Sequence, residues 1–199
     1  MAFVIAVEGS RAVGKTTLLR ALSEVFPRAF VREGFEKSSV HFDMNSEEGF
    51  CACEKWYIER EIETFAKLPE GLVLLARGPE SIEFHCLNYA RLSGKTWDAS
   101  QRLAHDIVCL RQCRSNRVLY LSASIDILKD RARADSKRRD GLEEWFEVWH
   151  PAMELFFLSL PHVNVLRTDG CCADDVLRIV TNWIQNECRG LLDQGAVFR

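Results

Sequence analysis

This sequence predicts an α/β fold of three layers: a five-stranded parallel sheet with helices on both faces. Two observations carry the prediction. Apolar runs at 3–7, 29–31, 72–76, 117–122 and 163–167 are each followed by a polar or glycine-bearing break and then by a segment of helical period. That alternation builds parallel strands joined by helical crossovers. In addition, Leu72-Val73-Leu74-Leu75 and Val118-Leu119-Tyr120-Leu121 are apolar at successive rather than alternate positions, as strands covered on both faces are.

The first strand, Phe3-Val4-Ile5-Ala6-Val7, runs into Gly9-Ser10-Arg11-Ala12-Val13-Gly14-Lys15-Thr16-Thr17. The spacing Gly-x-x-x-x-Gly-Lys-Thr is that of a phosphate-binding loop. Its backbone N–H groups turn inward around phosphate oxygens, and the helix that follows aims its positive dipole end at them. Glycine stands where a Cβ would block that approach. Lys15 reaches the β- and γ-phosphates, and the Thr16 hydroxyl takes a place in the Mg²⁺ shell. Residues 9–17 are thus the predicted ATP-binding segment, and the fold class becomes the three-layer P-loop NTPase fold. Leu18, Leu19, Ala21, Leu22, Val25 and Phe26 give the following helix, 15–26, an apolar face.

The short strand 29–31 precedes a helix over 46–67, opened by Ser46 with Glu47 and Glu48 in its first turn, where carboxylates complement the dipole. Strand 72–76 leads to helices over 81–92 and 99–113. Strand 117–122 leads to a helix over 125–133 and another over 141–158, in which Pro151 is expected to kink or divide the helix. Strand 163–167 precedes a last helix over 173–192. No repeat, linker or low-complexity tract interrupts the series. A length of 199 residues with 47% hydrophobic content suits one domain over 1–199.

Charge and cysteine usage exclude several classes. A net charge of −3, from 26 Lys and Arg against 29 Asp and Glu, argues against a broad basic face gripping extended nucleic acid. No apolar run reaches membrane-spanning length, and no charged n-region or cleavage site precedes the first strand, so a cytoplasmic protein without a membrane partner is expected. The eight cysteines form no Cys-x-x-Cys pair, and no histidine stands beside them at zinc-ligand spacing. They read as reduced thiols.

Ligands of parallel sheets bind at the strand carboxyl ends. Charge appears there in Arg32-Glu33, in Arg77 and in Arg167-Thr168-Asp169. Phosphoryl transfer needs a base or orienting group at the acceptor oxygen and cations at the developing charge. Glu33 can supply the first and Arg77 part of the second. The segment of about 125–141, with Lys129, Arg131, Arg133, Lys137, Arg138 and Arg139, reads as a basic lid placing arginines on the transferring group. Asp126, Asp130, Asp135 and Asp140 offer i, i+3 and i+4 partners for the other reading, a solvated helix face.

Taken in order, these pieces resemble the deoxynucleoside kinase and thymidylate kinase branch of the P-loop kinases. Val31-Arg32-Glu33-Gly34-Phe35 is similar to that family's second strand and its Glu-Pro, with Gly34 in place of proline. The resemblance makes Glu33 the base for an acceptor hydroxyl. Trp56-Tyr57-Ile58-Glu59-Arg60 is similar to the aromatic-bearing helix that holds the substrate, which implies substrate contacts from Trp56, Tyr57 and Arg60. Ala76-Arg77-Gly78 matches the family's acidic-Arg pair only in Arg77, leaving Mg²⁺ to Thr16, phosphates and waters, with Glu33 or Glu80 nearby. Arg131 and Arg133 fit the lid pattern and join Lys15, Glu33 and Arg77 as the implied catalytic set. Trp145-Phe146-Glu147-Val148-Trp149-His150 is similar to the helix after the lid and reads as core or lid support. Thr168-Asp169-Gly170 is similar to the loop beside the adenine. Where the family carries a pocket glutamine the chain reads Cys51-Ala52-Cys53-Glu54, and His41, His85 and Asn88 remain as polar pocket groups.

The resemblance implies a Mg-ATP-dependent phosphotransferase acting on a small-molecule hydroxyl, that of a nucleoside or nucleoside-like metabolite. Three other readings stay open: a nucleoside monophosphate kinase, a kinase of an antibiotic or other metabolite, and a nucleotide-binding regulatory NTPase, for which Ala76 speaks. Monomer and homodimer are both compatible with the sequence.

Overall fold

The computed structural model describes residues 1–135 and 141–189. Lys137, Arg138 and Arg139 of the basic segment, and the end of the last expected helix, lie outside the described residues. Five strands, β1 (Ala2–Gly9), β2 (Phe30–Arg32), β3 (Gly71–Ala76), β4 (Arg117–Ser122) and β5 (Val163–Arg167), form one sheet in the order β2-β3-β1-β4-β5. Every pair is parallel, with Ala6 opposite Leu75 on one side and Val118 on the other. The helices are α1 (Lys15–Val25), α2 (Glu47–Ala66), α3 (Pro79–Leu92), α4 (Ala99–Arg102), α5 (Ala104–Leu110), α6 (Ile125–Ala134), α7 (Leu142–Leu158) and α8 (Ala173–Glu187). The fold is α/β with helices on both sides of an all-parallel sheet.

One detail differs from the sequence reading, and another narrows it. The helix expected over 99–113 is divided into α4, α5 and a 3₁₀ turn at Arg111–Cys113, because Leu103 leaves helical geometry at φ −95°, ψ 6°. Of the two outcomes expected at Pro151, a kink or a division, the division does not occur: α7 runs through it from Leu142 to Leu158. Proline removes one backbone donor, a loss a helix of 17 residues tolerates when buried side chains on both flanks of the proline hold it in place. Phe146 and Phe157, both fully buried, do so here.

The chain gathers into two compact units. One comprises Met1–Glu33, Pro69–Ala76 and the chain from Asn116 on, and contains the whole sheet. Its core lies on two sides of the strands. Ile5, Val7, Leu74, Leu119 and Leu121 pack with Leu18 and Leu22 of α1, Leu128 of α6 and Val180 and Ile184 of α8. Ala6, Val118 and Tyr120, which point the other way along the same pleat, pack with Phe157 of α7. The alternation places β1 at the centre, so its carboxyl end, where the phosphate loop begins, is flanked by β3 and β4.

The other unit comprises Gly34–Leu68 and Arg77–Ser115. Phe50 and Ile58 of α2, Ile82 and Cys86 of α3, and Leu103, Ile107 and Leu110 form its core. Phe50 stacks on Tyr89 with ring centroids 4.5 Å apart. Ser46 caps α2 by accepting a hydrogen bond from the Gly49 amide at 3.1 Å, as expected of a serine before two glutamates.

Candidate active site

The loop from Gly9 to Thr17 leaves β1 through backbone geometry that fixes its sequence. Gly9 sits at φ +132°, and a Cβ there would lie 2.3 Å from the carbonyl oxygen of Leu121. Ala12 takes the left-handed region at φ 58°, an uncommon conformation for a residue with a side chain and one found where the chain must curl its amides inward. Gly14, at φ 105°, precedes the first turn of α1 and gives it no side-chain cap, so that turn's donors are not consumed by a serine, threonine or aspartate. The Lys15 ammonium donates to the carbonyls of Gly9 and Ser10, both at 2.7 Å, which holds it over the loop. The hydroxyl-bearing Thr16 and Thr17 are exposed beside it.

A cavity of about 350 Å³ opens along this loop, lined among others by Ala12, Gly14, Thr17, Arg131, Thr168 and Cys171. Arg131 is brought there by α6. Its guanidinium donates to the Thr168 hydroxyl at 3.0 Å and to the Thr168 carbonyl at 2.9 Å. A longer contact of 3.4 Å reaches the Val13 carbonyl. Thr168 is buried and stands after β5, as the loop Thr168-Asp169-Gly170 was expected to. Arg133, two residues on, turns to the surface and pairs with Glu143 and Asp130, each at 3.0 Å. The structure therefore separates the two arginines of the basic segment: one at the cavity, one in exposed ion pairs.

Glu33 follows β2 and is held by Arg20 of α1, whose Nε and Nη2 donate to its two oxygens at 3.1 and 3.3 Å. Glu80, one of the two carboxylates expected near the metal, has its oxygens engaged within its own unit. It is buried, and its oxygens accept from the Ser115 amide at 2.9 Å and hydroxyl at 3.0 Å. Ala76 leaves no carboxylate at the end of β3. Among the described residues, no three His, Cys, Asp or Glu side chains gather as a ligand set. These donors fit a hydrated Mg²⁺ carried on substrate phosphates, with the exposed Thr16 hydroxyl as the protein ligand, and not an ion caged by carboxylates.

In the second unit, Trp56, Tyr57 and Arg60 lie together on α2. Trp56 and Tyr57 meet edge to face with centroids 5.0 Å apart, the Arg60 guanidinium sits 5.7 Å over the Trp56 ring, and Arg60 also pairs with Glu63 at 3.0 Å. Arg77 is exposed at φ 70°, a left-handed arginine directly after a buried strand. Strain of that kind persists only where the surrounding structure enforces it, and concentrates at functional sites. In the segment Cys51-Ala52-Cys53-Glu54, Glu54 is buried with His85 Nδ1 at 2.8 Å from one oxygen and the Cys86 thiol donating to the other at 3.6 Å. Asn88 is spent locally, donating to the Phe84 carbonyl at 2.9 Å, and His41 is exposed.

Sequence reasoning missed a buried polar group beneath the phosphate loop. Glu8, the residue before Gly9, is fully buried within β1. Ser10 and His150 of α7, both buried, are joined by a hydrogen bond of 2.6 Å. One turn along α7, Glu154 accepts from the Ser122 hydroxyl at 2.7 Å. Burial pushes the Tyr120 phenol well up, with Glu154 and Glu8 acting in the same direction, and burial pulls the His150 imidazole below its ordinary range. The one available signal was a glutamate, Glu8, between the apolar run Phe3-Val4-Ile5-Ala6-Val7 and Gly9.

No family model and no curated protein matches this chain. Among solved structures, thymidylate kinase from Candida albicans superposes with a TM-score of 0.67 at 15% identity, covering 94% of this chain and 92% of that one. Deoxyadenosine kinase from M. mycoides with products dCMP and dCDP superposes with a TM-score of 0.68 at 14% identity, covering 94% of this chain and 99% of that one. The same enzyme with bound dATP gives 0.62 at 15% identity, covering 93% and 100%. The fold is that of these P-loop kinases. Coverage of more than nine-tenths on both sides means that the likeness spans the sheet and the crossover helices, beyond the loop motif.

Proposed function

We propose that the chain is a Mg-ATP-dependent phosphotransferase that phosphorylates a hydroxyl of a nucleoside or nucleoside-like small molecule. The observation that carries the reading is the phosphate loop at the end of the central strand, with Lys15 over it and Arg131 at the adjoining cavity. In this reading the loop amides and Lys15 bind the donor phosphates, and Arg131 fixes the wall of the nucleotide cavity. Neutralisation of phosphate charge is what bound Mg²⁺ would supply, and in this reading the exposed Thr16 hydroxyl would hold it. Glu33 removes the proton of the acceptor hydroxyl, with Arg20 orienting its carboxylate. Arg77 stabilises charge developing on the transferred group, while Trp56, Tyr57 and Arg60 bind the acceptor. Arg133, in exposed ion pairs, supports α6 and has no part in the transfer.

A second reading, a regulatory NTPase without an acceptor, is favoured by Ala76 alone. An ATP-consumption screen with Mg²⁺ against nucleosides, monophosphates and hydroxylated metabolites separates the two. The proposed function predicts one acceptor class that raises consumption well above background and loses the effect with Lys15→Ala. Tight nucleotide binding with no acceptor-stimulated turnover across the screen would replace it by the regulatory reading.

A further inference from the structure

The phosphate loop is held from outside by α7 at two successive residues. Ser10 is bonded through its hydroxyl to His150 Nδ1 at 2.6 Å, and the guanidinium of Arg11 lies 4.7 Å over the ring of Trp145, which itself stacks on Trp149 at 5.9 Å. Ser10 also carries one of the two carbonyls that hold Lys15. A displacement of Ser10 therefore displaces the lysine. Its hydroxyl is fully buried, so removal of the histidine nitrogen leaves a polar group without water to replace the partner.

The same helix is fastened at three further points. Glu143, Glu147, His150 and Glu154 recur at spacings of four, three and four, which is one face of a helix. Glu143 pairs with Arg133 and Glu147 with Lys129, both on α6, and Glu154 accepts from Ser122 at the end of β4. The helix α6 is the one that delivers Arg131 to the cavity. One polar stripe on α7 thus joins the arginine-bearing helix, the first residue after β1 and the last residue of β4.

We infer that His150 is a positioning residue of the phosphate site: acting through Ser10, it sets the backbone that holds Lys15, and the stripe Glu143-Glu147-His150-Glu154 ties that backbone to the helix carrying Arg131. The inference rests on the reading of this loop as the nucleotide site. His150 touches neither donor nor acceptor and acts only through Ser10.

The test uses the full chain with His150→Leu, Ser10→Ala, the double variant, and His150→Asn, whose side-chain amide nitrogen occupies the place of Nδ1. Two quantities are read: the Kd for MgATP by titration calorimetry, and the rate at which an amine reagent labels Lys15 in protein without nucleotide, followed by peptide mass spectrometry. The expected result is a Kd raised about tenfold in His150→Leu and in Ser10→Ala, no further rise in the double variant, and a Kd within about threefold of the parent in His150→Asn. Lys15 labelling rises about two- to tenfold in the first two variants and stays at the parent rate in the third. Were His150→Leu to fail to fold, Ser10→Ala against His150→Asn makes the same comparison. Parental Kd and parental labelling rate in folded Ser10→Ala overturn the inference. If the parent chain binds no MgATP, the kinase reading falls, and the Lys15 labelling rates alone decide whether His150 positions the loop.

Discussion

Arg20 and Glu33 form a two-pronged ion pair, with Nε and Nη2 of the arginine 3.1 and 3.3 Å from the two carboxylate oxygens. A planar guanidinium fixes a carboxylate in orientation as well as charge. Oriented this way, the Glu33 carboxylate keeps the lone pairs a base needs. Glu33→Gln is expected to lower phosphoryl transfer by about two to four orders of magnitude while leaving the Kd for MgATP unchanged. Arg20→Ala is expected to lower it less, since the carboxylate remains. Steady-state kcat with the identified acceptor, beside calorimetric titration of MgATP, checks both. Turnover near the parent rate in Glu33→Gln would remove Glu33 from the mechanism.

The two arginines of α6 should part company. Arg131 is partly buried and makes three contacts around the cavity, whereas Arg133 is half exposed in its ion pairs. Arg131→Ala removes two charge-assisted hydrogen bonds from Thr168, whose carbonyl keeps the Cys171 amide and whose hydroxyl still donates to the Ser122 carbonyl; the loss is expected to cost on the order of 1–3 kcal/mol of stability and to weaken nucleotide binding. Arg133→Ala is expected to leave stability close to that of the parent, because exposed pairs contribute little against solvent screening. Denaturant titration and MgATP affinity measured on both variants make the comparison, and an equal loss in the two contradicts the assignment.

Glycines of the loop are not equivalent. A methyl at Gly9 would stand 2.3 Å from the Leu121 carbonyl, while the same methyl at Gly14 meets nothing within 4 Å. Gly9→Ala must therefore shift β1 against β4 and is expected to abolish nucleotide binding. Gly14→Ala meets no protein atom, so in the chain without nucleotide it carries the strain of φ 105°, on the order of 1–2 kcal/mol, and any further loss shows only in the melt with MgATP, where phosphate must approach this backbone. Ala12→Gly, at φ 58°, relieves strain and is expected to leave binding intact. Thermal melts with and without MgATP distinguish the three.

Burial lowers the imidazole pKa of His150 in the folded chain, and Glu154 opposes this to a smaller extent. The unfolded chain then binds a proton at His150 more readily than the folded one. Its contribution to stability is whole above the ordinary histidine pKa of about 6.5 and is lost as pH falls from there toward the lower folded value. The drop in Tm between pH 7 and pH 5 is expected to be smaller in His150→Asn than in the parent. A larger or equal drop in the variant contradicts a buried neutral histidine.

The thiols offer an independent check on packing. Burial pushes Cys53 and Cys188 up to about 11 and Cys86 further still, whereas Cys172 is exposed at the start of α8. Since the thiolate is the reactive form, a thiol reagent at neutral pH should label Cys172 first and Cys53, Cys86 and Cys188 last. Early labelling of Cys86 would mean that the core of the second unit is not closed.

Strands β1, β3 and β4 were readable as continuous apolar runs ended by a polar break, whereas β2, three residues long, and β5, interrupted by Asn164, were readable chiefly from their place in the alternation of strands and helices; the phosphate loop was readable because its chemistry demands glycine and lysine at fixed spacing. The break at Leu103 was not readable: nothing in Arg102-Leu103-Ala104 disfavours a helix, and tertiary packing of a fully inward leucine decides it. Ser10 and His150 are 140 residues apart, and neither side chain alone signals a partner. The split between Arg131 and Arg133 was hidden for a related reason. Both read as lid cations, and only the rotation of α6 about its axis says which one faces the cavity.

The central claim is transfer of a phosphoryl group from ATP to a hydroxyl by way of this loop. Single-turnover transfer from γ-labelled ATP to the screened acceptor, with Mg²⁺ and with the parent chain beside Lys15→Ala, measures it directly. The account predicts label on the acceptor hydroxyl with the parent and none above background with Lys15→Ala. Label released only as inorganic phosphate, or transfer that persists in Lys15→Ala, would contradict it.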